Sequence, residues 1–586
     1  LKKTFLAILL ALFCSTTAHA TTYYVRTDGS NQTNCLGTTD AAYDGDGTGE
    51  ACAFSHPAYA IGFCIVYQDL CTTSSAISAG DTVVIHGPDD GAGTGIYQMG
   101  YNSSIGCNES YTTTCTLNDI VDGTAEAHVK IVGCSASGCG SDTRPELWGA
   151  GGANAIIYIN DSDYIDISDI EITDHASEGD CTVSTASTCG KIGIRGDGWS
   201  NITLTNVYIH GLGLYGAYIG DGENLTLTNT EISGNGQGGI NGDTGSSGYT
   251  GTITLDTVTM EYNGCVEDYT NGGLVDESCI EQNQGGYGDA IGTSTTSGDW
   301  VITDSNISFN TSDGLDLLYL DDSGTVTIKR SRFEGNNGNQ VKITNQAYIE
   351  DCLIIGNCGY FYGQDFTDTT APGFTHCRAS GNALEIAFKT LTDSPKIYNS
   401  TILSNGDVGV NVSGTCTTGT DVILSNNIMY GGKEFMQDSD ITGGGNDDTT
   451  SIFYDGGGTC DVDFVETYNI CYGWKEGASS CNGTGSTDEV DPLFSGTILM
   501  GPYSTPGYYT DSNYDAQLIL QATSTAIDEA DETVTGADAY DYTGASRGTS
   551  WDIGAIEYGS TLDEEEEDTT PTMGWGCAMS GGVGFE

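Results

Sequence analysis

Short runs of alternating apolar and polar residues recur along the chain at a near-constant interval. The recurring unit is h-x-h-x-N/D-x-x-h, with h apolar. It centres on Asp169 (ISDI), Asn206 (ITLTNVYI), Asn229 (LTLTNTEI), Thr257 (ITLDTVTM), Asp304 (VITDSNI), Arg330 (VTIKRSRF), Asp351 (YIEDCLI), His376 (FTHCRA), Asn399 (IYNSTI) and Asn426 (VILSNNIM). Successive centres lie 37, 23, 28, 47, 26, 21, 25, 23 and 27 residues apart. The step of 47 is expected to hold two coils, with CIEQNQ in the missing place, and the step of 37 carries the loop between Cys181 and Cys189. Period-two alternation argues strands, and a repeat near 24 residues without helical segments argues a stacked solenoid. Leucine-rich repeats share the period but not the spacing of leucines, and a propeller needs a period of roughly 40 or more.

The predicted fold is therefore all-β: a single-stranded right-handed parallel β-helix of about ten or more coils. A second column runs through the repeats as GIRG, GAYI, GING, DAIG, GLDL, QVKI, ALEI and GVNV. Its third positions are expected to point outward: Arg195, Tyr218, Asn241, Ile291, Asp316, Lys342, Glu385 and Asn411. Outward residues of successive coils stand side by side at about 4.8 Å. Asp316 and Lys342 thus become neighbours, with Asp313 at the turn entering its strand and Asp289 entering the strand before. Three carboxylates and one ammonium are expected together on one solvent face.

The ends differ from this middle. LKKTFLAILLALFCSTTAHA reads as a signal peptide over residues 1–20, cleaved after Ala20. Residues 21–150 hold the N-terminal cap and first coils, with a short helix expected in FSHPAYAIGF, Ser55 as N-cap and Pro57 in its first turn. Residues 151–489 hold the β-helix repeats and 490–558 a closing module. Residues 559–586 are expected to hold an acidic linker and a Gly/Cys tail, the latter either the start of a surface-sorting signal or a plain disordered terminus.

Composition narrows the function. The chain has 586 residues, 17 Lys and Arg against 81 Asp and Glu, and a formal charge of −64. That balance excludes nucleic acid and anionic lipid as partners. It also weighs against a polyanionic substrate unless divalent cations intervene. The 21 cysteines agree with export and local disulfides; Cys107/Cys115, Cys134/Cys139, Cys181/Cys189, Cys265/Cys279 and Cys471/Cys481 are neighbours in sequence. Cys352, Cys358 and Cys377 form an odd group that leaves one thiol free. No apolar run after the signal is long enough to span a membrane.

The Asp/Lys constellation carries the candidate chemistry. Hard oxygen donors suit Ca²⁺, which takes six to eight oxygen ligands. Ca²⁺ held by Asp289, Asp313 and Asp316 would neutralise a substrate uronate and acidify its C5 proton. A deprotonated Lys342 would then remove that proton, and β-elimination would follow at C4. Bare Asp neighbours hold a Lys protonated, so this site is expected to be inert without metal. Taken singly, Asp313 is equally a turn residue capping backbone N–H groups. Lys342 alone is equally an exposed rung paired with Asp316, a contact worth a few tenths of a kcal/mol. Paired carboxylates alone would also suit a glycoside hydrolase, which needs no Lys. Arg330 and Arg332 are lesser candidates for an anionic sugar, and Tyr218 and Tyr319 for stacking on one.

The repeat resembles the pectate-lyase-like β-helix superfamily over roughly residues 23–558. SDGLD followed by GNQVKI resembles the family-nine polysaccharide lyases, whose acidic DDG-x-D stretch binds Ca²⁺ and whose GNG-F-K-L strand carries the base. That resemblance implies Asp313 and Asp316 as calcium ligands, Asp289 as the ligand from the preceding coil, and Lys342 as catalytic base. The chain departs from the pattern at Ser312, where the family has a second Asp. DPLF…AIDEAD…DYTGASRG…DIGAIEY resembles the closing module of exported β-helix proteins. The expectation is a secreted or cell-surface, calcium-dependent lyase acting on an acidic polysaccharide. The alternative is a non-catalytic extracellular β-helix that binds glycan or a partner, or one whose Ca²⁺ only stabilises coils.

Overall fold

The computed structural model describes residues 20–560 apart from 66–69, 74, 89–93, 101–114, 119, 135–143, 150–151, 175–188, 243–247, 266, 269–272, 275–287, 322, 357–381, 390–392, 405–407, 416–419, 432–450, 456–461, 475–480, 497–516, 535–536 and 538. The signal-like leader and the tail beyond residue 560 lie outside these, as do His376, Cys107, Cys139, Cys181, Cys279, Cys358 and Cys377.

The chain winds into the expected parallel β-helix. The strands form a 13-stranded and a 24-stranded sheet in which successive coils pair in parallel, except at the N-terminal end of the smaller sheet, where Phe63–Ile65 pairs antiparallel with Leu70–Thr73 and Cys115–Leu117. In the smaller sheet Ile157, Ile194, Ala217, Ile240, Ile291, Leu315, Val341 and Leu384 stack inward in one column. All of them are buried, and each large one contributes about 1.5–3 kcal/mol by leaving water. The core is one apolar column running the length of the solenoid.

The recurring N/D position has a conformational cause. Asp169, Asn206, Asn229, Thr257, Asp304, Arg330, Asp351, Asn399 and Asn426 all have φ between 44° and 60°. A left-handed residue turns the chain between the two strands that each coil lends to the larger sheet. Asn and Asp tolerate that conformation better than other side chains. Their side chains also stack: Asn206 donates to Asp169 at 2.6 Å, and Asn426 to Asn399 at 3.0 Å.

At two places where the spacing predicts an additional coil, the flanking described strands pair directly. Thr254 in the strand Tyr249–Glu261 pairs directly with Val301 in Asp299–Thr303. The step of 47 therefore spans one coil spacing of directly paired strands, and CIEQNQ, expected to be a further coil, lies outside the described residues. Tyr348 likewise pairs directly with Lys396, and the stretch around His376, expected to centre a coil between them, lies outside the described residues. The short helix is Ala58–Ile61; Pro57 occupies the N-cap position and Ser55 does not cap it. His56 Nδ1 accepts from the Ala58 N–H instead, at 3.2 Å.

A buried amide ladder runs beside the smaller sheet. Asn235 donates to Asn263 Oδ1 at 3.1 Å, Asn263 to Asn310 at 3.0 Å, Asn310 to Asn336 at 2.8 Å, and Asn336 to Gln340 Oε1 at 2.9 Å. Each Asn also holds a backbone carbonyl of the coil before, as Asn310 holds Met260 and Asn336 holds Ile307. The ladder occupies space that a side chain at Gly314 would fill, since a Cβ there would stand 2.7 Å from Asn336 Nδ2. Asn235→Ala strands the Leu212 N–H, which now bonds to Asn235 Oδ1 at 3.2 Å. The expected cost is about 1–3 kcal/mol, read as a lower midpoint of chemical denaturation.

Disulfides Cys35–Cys52 and Cys471–Cys481 pin loops, the second as expected. Cys134, Cys189 and Cys265 are also disulfide-bonded. Cys352 is the buried free thiol of the odd group. Its Sγ contacts the Glu350 carbonyl at 3.1 Å. Among the described residues no helix is long and apolar enough to cross a membrane.

Candidate functional site

The outward column of the smaller sheet reads Tyr158, Arg195, Tyr218, Asn241, Gly292, Asp316, Lys342, Glu385 and Asn411. One expected member changes. Ile291 points inward and its neighbour Gly292 takes the outward place, because Ile291 aligns with the core residues Ile240 and Leu315. A Cβ at Gly292 would lie 2.9 Å from Asp289 Oδ2. The bare rung thus leaves room for that carboxylate.

Asp316 and Lys342 are register partners on the strands Leu315–Asp316 and Val341–Thr344. Lys342 Nζ donates to Asp313 Oδ2 at 2.5 Å and to Asp316 Oδ2 at 3.2 Å. Asp289 Oδ1 accepts the Asp313 N–H at 2.9 Å. Asp289, Asp313 and Asp316 each offer a carboxylate oxygen within 4.8 Å of the others. The structure thus brings together all four residues singled out from the sequence. It places them deeper than a solvent face, with Asp313 1% and Lys342 8% exposed.

Local backbone fixes the cluster. Asp313 Oδ1 accepts from the Asn339 N–H at 2.7 Å and from Asn339 Nδ2 at 3.1 Å. That approach requires Gly338, where a Cβ would stand 2.2 Å from Asp313 Oδ1. Asp316 Oδ1 accepts from Leu318 N–H at 3.2 Å. Ser312, where the resembling family has Asp, is buried and hydrogen-bonds to Asp289. Asn339 was not foreseen; its sequence signal is the residue before Gln340 in GNQVKI. Its Oδ1 is buried without a hydrogen-bond partner among the described residues.

The electrostatics follow from burial and crowding. Burial, then Asp313 and Asp316, push the Asp289 carboxyl up to about 8. Burial also raises Asp316, with Lys342 opposing. Burial pulls the Lys342 ammonium down, but Asp313, Asp316 and Asp289 outweigh it and hold it above its ordinary value. Three crowded carboxylates form an all-oxygen donor set that fits a hard divalent cation. The Lys342 ammonium stands among those carboxylates and competes with such an ion.

Arg330 and Arg332 stay away from this face. Arg330 pairs with Asp304 at 2.7 Å and Arg332 with Glu334, both on the larger sheet. Tyr319 is 61% exposed, with Lys389 Nζ 6.0 Å from its ring centroid.

A family model described as right handed beta helix region matches residues 190–346 and 316–473. No curated protein matches the chain at a significant level. Similar solved structures include pectate lyase Pel9A, 15% identical over 93% of this chain and 98% of that one, with a TM-score of 0.38. The alginate lyase from Paenibacillus sp. str. FPU-7 is 13% identical over 60% of this chain and 89% of that one, with a TM-score of 0.31. The GH136 lacto-N-biosidase from Eubacterium ramulus is 11% identical over 80% and 70%, with a TM-score of 0.33.

Proposed function

We propose that this chain, a right-handed parallel β-helix of pectate-lyase-like fold, is a calcium-dependent polysaccharide lyase acting on an acidic, uronate-containing glycan. One observation carries the reading: a lysine in register with Asp316 and in contact with Asp313, inside a cluster of three carboxylates. Asp289, Asp313 and Asp316 would hold the ion. Bound there, Ca²⁺ would neutralise the uronate carboxylate and acidify the adjoining C5–H.

The chain's own part is proton transfer. With the carboxylates engaged, Lys342 loses the partners that keep it charged, and its burial favours the neutral amine. Neutral Nζ takes the C5 proton and becomes an ammonium. The electron pair forms the C4–C5 double bond, the C4–O bond breaks, and the departing oxygen is protonated. The leader-like residues 1–20 and the two disulfides support an oxidising, extracellular setting.

A second reading is a non-catalytic glycan-binding β-helix. The pairing of Lys342 with both Asp313 and Asp316 favours it, because that contact alone satisfies the ammonium. The two are separated by ultraviolet absorbance of unsaturated uronate on polygalacturonate and alginate, with Ca²⁺ or with chelator. The lyase gives absorbance that grows with Ca²⁺ and stops on chelation. Binding to either polymer with no absorbance growth under any condition selects the second reading.

A further inference from the structure

Arg195 stands on the same outward column as Lys342. Between them the column passes through Tyr218, Asn241, Gly292 and Asp316, five strand-to-strand steps in all. At the spacing of neighbouring strands that is about 24 Å. Its guanidinium carbon lies 5.9 Å from the Tyr158 ring centroid and 5.5 Å from that of Tyr218. These rings belong to the rungs on either side. Each is anchored: Tyr218 stacks on Tyr215 at 5.3 Å, and Asn154 donates to the Tyr158 hydroxyl at 3.0 Å.

The other described arginines have a polar side-chain partner. Arg26 pairs with Asp28, Arg330 with Asp304, Arg332 with Glu334 and Arg547 with Asp351, and Arg144 donates to Asn206. Among the described residues Arg195 has no such partner, in a chain of 81 acidic residues. Two aromatic faces orient its planar fork and leave the donors unspent. From Tyr158 to Gly292 the column carries no carboxylate, whereas the rung beyond Lys342 is Glu385. Past Asp316 and the Asp289 carboxylate, both of which the lyase reading gives to the ion, a polyanion running N-terminal from Lys342 meets only neutral and cationic rungs, whereas C-terminal of Lys342 it first meets Glu385.

We infer that Arg195, clamped between Tyr158 and Tyr218, is a remote carboxylate-binding subsite, and that the bound acidic glycan extends from Lys342 toward the N-terminal coils. The location of the reacting unit rests on the lyase reading. The guanidinium binds a uronate through paired N–H donors, and the two rings hold its plane in place for that contact.

The test is calorimetric titration of size-fractionated oligogalacturonates and alginate oligomers, with Ca²⁺, into the Lys342→Ala chain to prevent turnover. Affinity should rise once an oligomer is long enough to span the five steps. Adding Arg195→Gln should remove that gain and weaken long oligomers about tenfold, the loss of one charge-assisted contact. Arg195→Lys should keep part of it, and Tyr218→Ala should lower it with Arg195 intact. Equal affinity for long and short oligomers, an unchanged long-oligomer affinity in folded Arg195→Gln, or no binding of either series overturns the subsite. The lyase reading fails separately, by absence of unsaturated product from the unaltered chain. Product with Arg195-independent binding sinks only the subsite; Arg195-dependent binding without product sinks only the chemistry.

Discussion

Lys342→Ala should lower the rate of β-elimination by on the order of 10²- to 10⁴-fold, the usual worth of a positioned general base, while calcium binds more tightly. The two changes oppose each other because Lys342 plays two parts. Its ammonium neutralises Asp313 and Asp316 at 2.5 and 3.2 Å, so removing it frees those oxygens for a divalent ion. A lysine serving only to hold the coil would show no lyase rate to lose. Its removal would leave buried carboxylates uncompensated, costing about 3–5 kcal/mol, a loss that added Ca²⁺ would recover. Rates on uronate polymers, calcium titration and melting midpoints separate these outcomes. The pH profile carries a second signature. Only the neutral amine accepts a proton, and the carboxylates raise Lys342 above its ordinary value. At low calcium the rate should therefore climb only at high pH, and calcium should shift that rise downward. A profile insensitive to calcium would remove Lys342 from the role.

Much of this site was legible because a solenoid turns sequence spacing into spatial adjacency. GLDL and QVKI place Asp316 and Lys342 on neighbouring rungs by alternation alone, and the structure pairs them. The turn column was legible for a different reason. A left-handed φ selects Asn and Asp, and that preference recurs at Asn206, Asn229, Asp304 and Asn399. Even Thr257 and Arg330 hold the place, by position rather than by propensity.

What the spacing could not reveal is whether an interval of two repeats holds two coils or one coil with an insertion. The stretches around CIEQNQ and His376 have apolar residues at plausible places, yet the flanking strands pair directly. DAIG misled by one residue, because the conserved-looking alternation there admits either Ile291 or Gly292 as the outward rung. The amide ladder was hidden for a deeper reason. Asn235, Asn263, Asn310 and Asn336 lie in polar, glycine-rich turns that look solvent-facing, but their amides are fully bonded to one another and to backbone. Closing on Gln340, two residues before Lys342, the ladder is also what holds that strand in place.

Arg547→Ala should detach the C-terminal segment from the solenoid at a cost of about 3–5 kcal/mol, as for breaking one half of a buried ion pair. Arg547 is fully buried and reaches across 196 residues to Asp351 Oδ1 at 2.6 Å. It also donates to Glu557 at 2.6 Å and to the carbonyls of Tyr540, Gly554 and Ala555. One side chain thereby ties three stretches of the segment to a left-handed turn of the β-helix. Around it Phe494, Leu520, Trp551 and Ile556 pack on Leu353, Leu403, Ile428 and Ile470. Strands such as LIIG are apolar on both faces, inward to the core and outward to this segment. Alternation fails there because the strand is covered twice. Loss of Arg547 leaves Asp351 charged and buried. Asp351→Asn, which keeps the left-handed turn and an acceptor, should therefore recover part of the loss in combination with Arg547→Met. The readout is Trp551 emission, expected to shift to the red at lower denaturant while the circular dichroism of the strands persists. Simultaneous loss of both signals would mean that the segment and the solenoid unfold as one unit. An unchanged Trp551 transition would mean that apolar packing alone holds the segment, with the ion pair contributing nothing to its docking.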